Sequence, residues 1–281
     1  MGVNLILGFF DGVHLGHQEV IKSALDDSES ILVTLNESPA KFFGNDVKYI
    51  LSRKNSVNKI IKAGVSKVVL EDFETIHNYT AKDYLAYLIA QYSPKSIVTG
   101  FNYTFGKNKS GNSEFLKNNQ QKFGYKYICT SPFSMNGEVV SSTLIKKYLK
   151  EGNLHKANKL LGSNFILEGN VISGAQLGRT LGFPTANLEY PKEIVEIPYG
   201  AYAVKAGDKL GIMNYGIKPT VNQSYEPIIE VHILNFEGNL YGKNLKIEVI
   251  ERIREEKKFD STETLKEQLL KDKEVCLKLL S

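Results

Sequence analysis

The sequence is short of the features that place a protein in a membrane or outside the cell. None of its apolar runs approaches the roughly 18 residues that a bilayer-crossing helix needs, and its start lacks a basic stretch followed by a long apolar one. Secretion and membrane anchorage are therefore not expected, and a cytoplasmic protein is. Cysteine is scarce: Cys129 and Cys276 are the only two in 281 residues and make no C-x-x-C, which argues against a zinc site or a disulfide framework and for two packing residues. There is no internal repeat, no low-complexity tract, no charged tail and no cluster of basic and aromatic residues of the kind that binds nucleic acid.

What is present is an ordinary globular composition, 42% apolar and 23% charged. The length is about twice that of a typical domain, so two domains are expected. The net charge of +4, from 35 basic and 31 acidic residues spread along the chain, suits small anionic substrates. Weak self-association is left open, with no nucleic acid or membrane as partner.

Strand-like runs at 3–9, 30–35, 67–70, 96–99 and 125–130 alternate with stretches of helical period, notably 55–63 and 81–91. That rhythm predicts an α/β domain with a parallel sheet, which binds ligands beyond the carboxyl ends of its strands. A helix from about Leu154 ends at Gly162, and beyond it the pattern changes to short β-rich runs at 165–172, 200–205, 209–214, 228–234 and 245–253. These predict a small antiparallel β-barrel followed by an amphipathic helix from Ser261 to about Leu279. The expected domains are 1–162 and 163–281.

Four segments carry chemistry. In Gly8-Phe-Phe-Asp-Gly-Val-His-Leu-Gly-His17, a strand ends in a glycine turn, and His14 and His17 stand at the start of a helix, whose free N–H groups attract phosphate. Phe10 and Asp11 belong to the turn, and Gly12 and Gly16 let a nucleotide approach the backbone. A plain turn with incidental histidines, or a metal pair at i, i+3, are the alternatives. Val98–Gly106, with Asn102, reads locally as a strand running into a loop, and Ser141-Ser142-Thr143 reads as a helix cap or a phosphate site. The fourth segment, Gly169–Asn187, contains Gly174, Gly178, Arg179 and Gly182, either a loop whose N–H groups reach phosphate or a set of hairpin turns. It ends on Thr185 and Asn187, oxygen donors suited to Mg²⁺. Glu230 is a candidate general base or a solvent-facing charge, and His232, on the same side of its strand, lines a site or packs.

The first segment resembles the H-x-G-H nucleotidyltransferases, in particular the N-terminal domain of prokaryotic bifunctional FAD synthetases, whose opening is close to G-x-F-D-G-V-H-x-G-H. The resemblance implies a Rossmann-like nucleotidyltransferase domain. It implies that Asn102 lies at the nucleotide and flavin site, and that Ser141, Ser142, Thr143 and Lys146, similar to the family's S-S-T-x-I-R, bind ATP phosphates. Two positions depart from the family: Lys146 stands where it has arginine, and Glu37-Ser38-Pro39 stands where it has P-H-P. A lysine keeps the charge without the planar fork, so a slower adenylyl transfer is expected.

The fourth segment closely resembles the riboflavin kinase signature G-R-x-L-G-F-P-T-A-N, which holds Mg-ATP. That resemblance implies that Thr185 and Asn187 bind metal and phosphate and that Glu230 is the catalytic base. It continues through 198–202, 214–220, 230–236, 240–242 and 253–259. The implied protein is an enzyme that phosphorylates riboflavin to FMN and adenylylates FMN to FAD, with ATP as co-substrate and Mg²⁺ in both steps. The alternatives are a kinase with a weak or inactive adenylyltransferase domain, and a flavin-sensing regulator without turnover.

Overall fold

The opening apolar run forms β1 (Val3–Leu7), which is buried on both faces and lies at the centre of a parallel sheet. It pairs with β2 (Ser30–Leu35) on one side and β4 (Pro94–Gly100) on the other. With β3 (Lys67–Glu71) and β5 (Lys126–Thr130) the order is β3-β2-β1-β4-β5. The protein is seen here as a computed structural model that describes residues 2–172, 183–219 and 225–280. It divides into two compact units, Met1–Ser142 and Thr143–Ser281.

Helices α1 (Leu15–Lys22), α2 (Pro39–Phe42), α3 (Arg53–Lys62), α4 (Phe73–Ile76), α5 (Ala81–Tyr92) and α6 (Ser113–Phe123) connect the strands of the first unit. Alternation along β1, β2 and β4 sends Leu5, Leu7, Ile31, Val33 and Ile97 to one face, against Leu85, Leu88 and Leu116. Ile6, Leu32 and Val98 go to the other, against Val20, Ile21 and Ile60. Local signals set the helix ends: Thr80 and Asp83 make a capping box on α5, and Ser52 caps α3. The strand order reverses between β1 and β4, so the crevice at their carboxyl ends is the expected ligand position. The small hairpin of β6 (Ser134–Met135) and β7 (Glu138–Val139) leads into α7 (Ser142–Lys150), where the second unit begins.

After α8 (Leu154–Leu161), which Gly162 ends at φ 65°, the second unit is a closed antiparallel barrel. Its strands are β8 (Phe165–Ile172), β9 (Ala186–Glu189), β10 (Gly200–Ala206), β11 (Lys209–Pro219), β12 (Tyr225–Ile233) and β13 (Asn244–Glu255). They close in the order β10-β11-β12-β9-β8-β13, which leaves no free edge. The sequence reading named no range for α6 or β9, and of α7 it marked only the start, as a helix cap at Ser141–Thr143. Apolar positions in α6 are sparse between polar residues, and β9 is a four-residue strand recognisable only by its partners β8 and β12. Of the two cysteines, Cys276 is buried and Cys129 is exposed, so only the first is a packing residue. No described helix is long and apolar enough to cross a membrane.

The Asn158 side chain ties α8 to the barrel, donating to Val249 O at 3.0 Å and Ile250 O at 3.1 Å and accepting from Phe165 N at 2.8 Å. The terminal helix α9 (Thr262–Leu280) is held by Asp272, 1% exposed, whose carboxylate accepts Arg254 Nε at 3.0 and 3.1 Å and Nη2 at 2.9 Å. Removing one partner of a buried pair leaves the other charge uncompensated. Asp272→Ala is therefore expected to lower stability by about 3 kcal/mol, read from urea unfolding.

Candidate active sites

The link between β1 and α1 is backbone under tension. Phe10, Gly12 and Val13 all have positive φ, at 56°, 81° and 45°. Only the glycine adopts that region at no steric cost; for a β-branched valine it is strained, a condition found where the surroundings dictate the conformation. Several bonds dictate it here. Asp11 Oδ1 accepts Ile50 N at 2.8 Å, Ser142 Oγ donates to Asp11 O at 3.0 Å, and Thr34 Oγ1 donates to Phe9 O at 3.1 Å.

His14 is the N-cap of α1, its Nδ1 accepting His17 N at 3.3 Å. The two imidazoles stack with centroids 3.6 Å apart and planes 16° apart, and Phe10 packs 5.0 Å from His17. Gly16 makes room for the stack, because a Cβ there would lie 3.3 Å from the His14 ring. Burial, and then the charge of Lys59, lower the pKa of His14 to about 4; burial, His14 and Lys59 push His17 well below its ordinary value. Both are neutral at pH 7. With Nδ1 as acceptor, neutral His14 carries its proton on Nε2 and so offers a donor there.

Neutral buried histidines have a consequence for acid stability. Below pH 6.5 the unfolded chain takes up protons at these positions, whereas folded His14 does so only near pH 4. Stability is thus full above 6.5 and falls as pH falls, by about 3 kcal/mol from His14 alone. Urea unfolding at pH 7 and 4.5 checks this, and His14→Gln should remove that part of the loss.

His17 faces a cavity of about 720 Å³ whose lining includes Gly8, Phe10, Thr34, Gly100, Asn102 and Tyr103. It therefore lies where the strand order reverses, and it combines aromatic walls with polar groups. Sequence reasoning missed Phe43, Phe73, His77 and Tyr84 in this lining, since they come from the end of α2, from α4, from the end of α4 and from α5, with no shared motif. Ser142 joins the loop through its bond to Asp11, whereas Thr143 and Lys146 lie on α7 in the second unit. Among the described residues no group of three His, Cys, Asp or Glu could hold a metal ion.

In the barrel, strand register decides which residues meet. Glu230 on β12 lies opposite Asn187 on β9 and opposite Asn214 on β11. Directly opposed residues share a face, so the three form a polar row. Ile229 and Val231, each 1% exposed, fill the interior, which puts half-buried Glu230 and His232 on the outer face. The Nδ1 of His232 donates to Pro184 O at 2.9 Å and its ring meets Phe183 at 5.0 Å, which ties it to the segment that carries Thr185. Thr185 lines a second cavity of about 570 Å³, together with residues 236–241; Glu230 and Asn187 do not line it. Gly174, Gly178, Arg179 and Gly182 lie outside the described residues.

Both halves match known families. A FAD synthetase profile matches residues 2–144, and a riboflavin kinase profile matches 161–280. Bifunctional riboflavin kinase/FMN adenylyltransferases are similar along nearly the whole chain: that of Bacillus subtilis is 33% identical, over 99% of this chain and 92% of its own length. The chain belongs to that bifunctional family.

The Haemophilus influenzae member is 33% identical over 98% of this chain and 93% of its own, and that of Escherichia coli K12 is 30% identical over 96% and 90%. A solved Streptococcus pneumoniae structure described as a macrolide-efflux protein has the same fold, with a TM-score of 0.87 and 33% identity over 98% of this chain and 93% of that one. As a bifunctional riboflavin kinase/FMN adenylyltransferase, the protein uses ATP to convert riboflavin to FMN and FMN to FAD.

Proposed function

We propose that the two reactions are divided at residues 162–163, with FMN adenylylation before that point and riboflavin phosphorylation after it. What carries the second assignment is the polar row of Asn187, Glu230 and Asn214. The Glu230 carboxylate takes the proton of the riboflavin 5′-hydroxyl as that oxygen bonds to the ATP γ-phosphorus, and the bond to the β-bridging oxygen breaks, releasing ADP. Thr185 and Asn187 offer hard oxygen donors, a set that fits Mg²⁺ and leaves the remaining positions to water and phosphate. When bound, the ion neutralises phosphate charge; phosphate binding by Arg179 and the glycines at 174, 178 and 182 rests on the resemblance to the riboflavin kinase signature.

In the first unit an FMN phosphate oxygen attacks the ATP α-phosphorus and pyrophosphate leaves. The support is the neutral histidine pair at the start of α1, beside a cavity large enough for an aromatic ligand. His14 and His17 donate to the phosphates as charge shifts onto the leaving group, while Gly8, Phe10, Asp11, Gly12, Gly16, Asn102, Ser141 and Ser142 bind ATP; for Thr143 and Lys146 that role rests on the resemblance to S-S-T-x-I-R alone. This chemistry also uses Mg²⁺. The setting is the cytoplasm, with small molecules as partners and no nucleic acid or membrane. Chromatography of the products that the full chain and its Glu230→Gln and His14→Ala/His17→Ala variants form from riboflavin or FMN with Mg-ATP tests the reading: loss of FMN formation only in the first and of FAD formation from FMN only in the second supports both assignments, and loss of both steps in a folded variant removes the division.

A further inference from the structure

Helix α3 brings two cations to the strained loop between β1 and α1, and neither belongs to a motif that carries the family resemblance. Arg53, the first residue of α3, donates Nη1 to Phe9 O and Nε to Asn36 O, both at 3.2 Å, with its guanidinium 4.5 Å above the Phe9 ring. Lys59 donates Nζ to Gly12 O at 3.3 Å. The entry to the helix is fixed on the same loop, since Ile50 N is bonded to Asp11 Oδ1. Both cations are half-buried, so water screens them less than it does surface charges.

Their neighbours make this charge count. The start of α1 is a ready place for an anion, but the histidines there are neutral, and the Lys59 charge is itself one reason that they are. Lys59 therefore lies within electrostatic reach of both rings. The other charged groups at the loop are Asp11, from the turn, and Arg53, which Asp11 faces. Adenylyl transfer brings a triphosphate and an FMN phosphate together, and two anions need a cation between or beside them. A fixed ammonium on the loop meets that need without relying on histidine protonation.

We propose that Lys59, with Arg53 beside it, is the positioning cation of the adenylyl-transfer site: it anchors the Gly8–Val13 loop by its carbonyls and supplies the positive field that draws ATP phosphates to the start of α1. The inference rests on the reading that the first unit adenylylates FMN. In this chain the charge that recognises the nucleotide then comes from α3 as well as from the sequence motifs.

The test uses the full-length protein with FMN and Mg-ATP, and riboflavin phosphorylation as an internal control. Lys59→Gln keeps a donor for Gly12 O and removes the charge. It is expected to raise the KM for ATP in FAD formation about tenfold, to weaken the dependence of that KM on ionic strength, and to leave the kinase rate unchanged. Lys59→Arg should restore the KM to within about threefold of the parent, because it restores the charge. In the Gln variant the His14 pKa, followed by NMR, should rise from about 4. If Lys59→Gln loses its fold, Lys59→Met and the salt dependence of the parent give the same comparison. An unchanged KM for ATP in a variant that still makes FAD overturns the proposal, as does a loss confined to kcat that Lys59→Arg fails to restore. Failure of the parent to make FAD from FMN sinks the reading of the first unit instead.

Discussion

Glu230→Gln is expected to slow FMN formation from riboflavin by about 10²–10⁴-fold, the usual contribution of a general base, while FAD formation from supplied FMN continues at the parent rate. The substitution is isosteric and changes little else. Glu230 lies on the outer face of the barrel between Asn187 and Asn214, half-buried, with Ile229 and Val231 carrying the packing on the inner face. An amide in that row can donate and accept hydrogen bonds but cannot take the proton of the attacking hydroxyl. The measurement is initial rates of both steps, with FMN and FAD separated by chromatography. A kinase rate within a few-fold of the parent would remove Glu230 from the role of base, and loss of both activities in a folded variant would contradict the separation of the two sites.

The second large effect belongs to the histidine pair. Replacing His14 and His17 together by alanine is expected to lower FAD formation by about 10²–10³-fold, the cost typical of removing preorganised donors from a site of charge development, with riboflavin phosphorylation unaffected. The pair is held ready before any ligand arrives. Its rings are stacked at 3.6 Å, His14 Nδ1 is committed to the His17 N–H, and burial keeps both neutral at the pH of the reaction. His17 Nδ1 is buried with no hydrogen-bond partner among the described residues. Alanine at position 14 also removes the N-cap of α1, so urea unfolding of the double variant is measured beside its activity to separate lost stability from lost catalysis. FAD synthesis at the parent rate in this variant would reduce both histidines to turn residues.

The sequence by itself determined the parts that near neighbours along the chain decide. An apolar run broken by Asp11-Gly12 and followed by helical spacing is sufficient for β1, the turn and α1, and Gly162 is sufficient to end α8. The change from alternating helices and strands to short β runs marked the passage from parallel sheet to barrel, and the motif spacings marked both candidate sites. Alternation along β12 even placed His232 on the side of Glu230. Tertiary structure decided everything that depends on residues far apart in sequence. The bond of His232 to the Pro184 carbonyl joins residues 48 apart, and β9 exists as a strand because β8 and β12 pair with it. The neutrality of the histidines comes from burial beneath other elements together with the charge of Lys59, 45 positions beyond His14. In the sequence Arg53 and Lys59 are only polar residues on an amphipathic helix. Their contact with Phe9 and Gly12 arises because the parallel sheet carries α3 back over the loop, and that long-range packing leaves no local pattern in the chain.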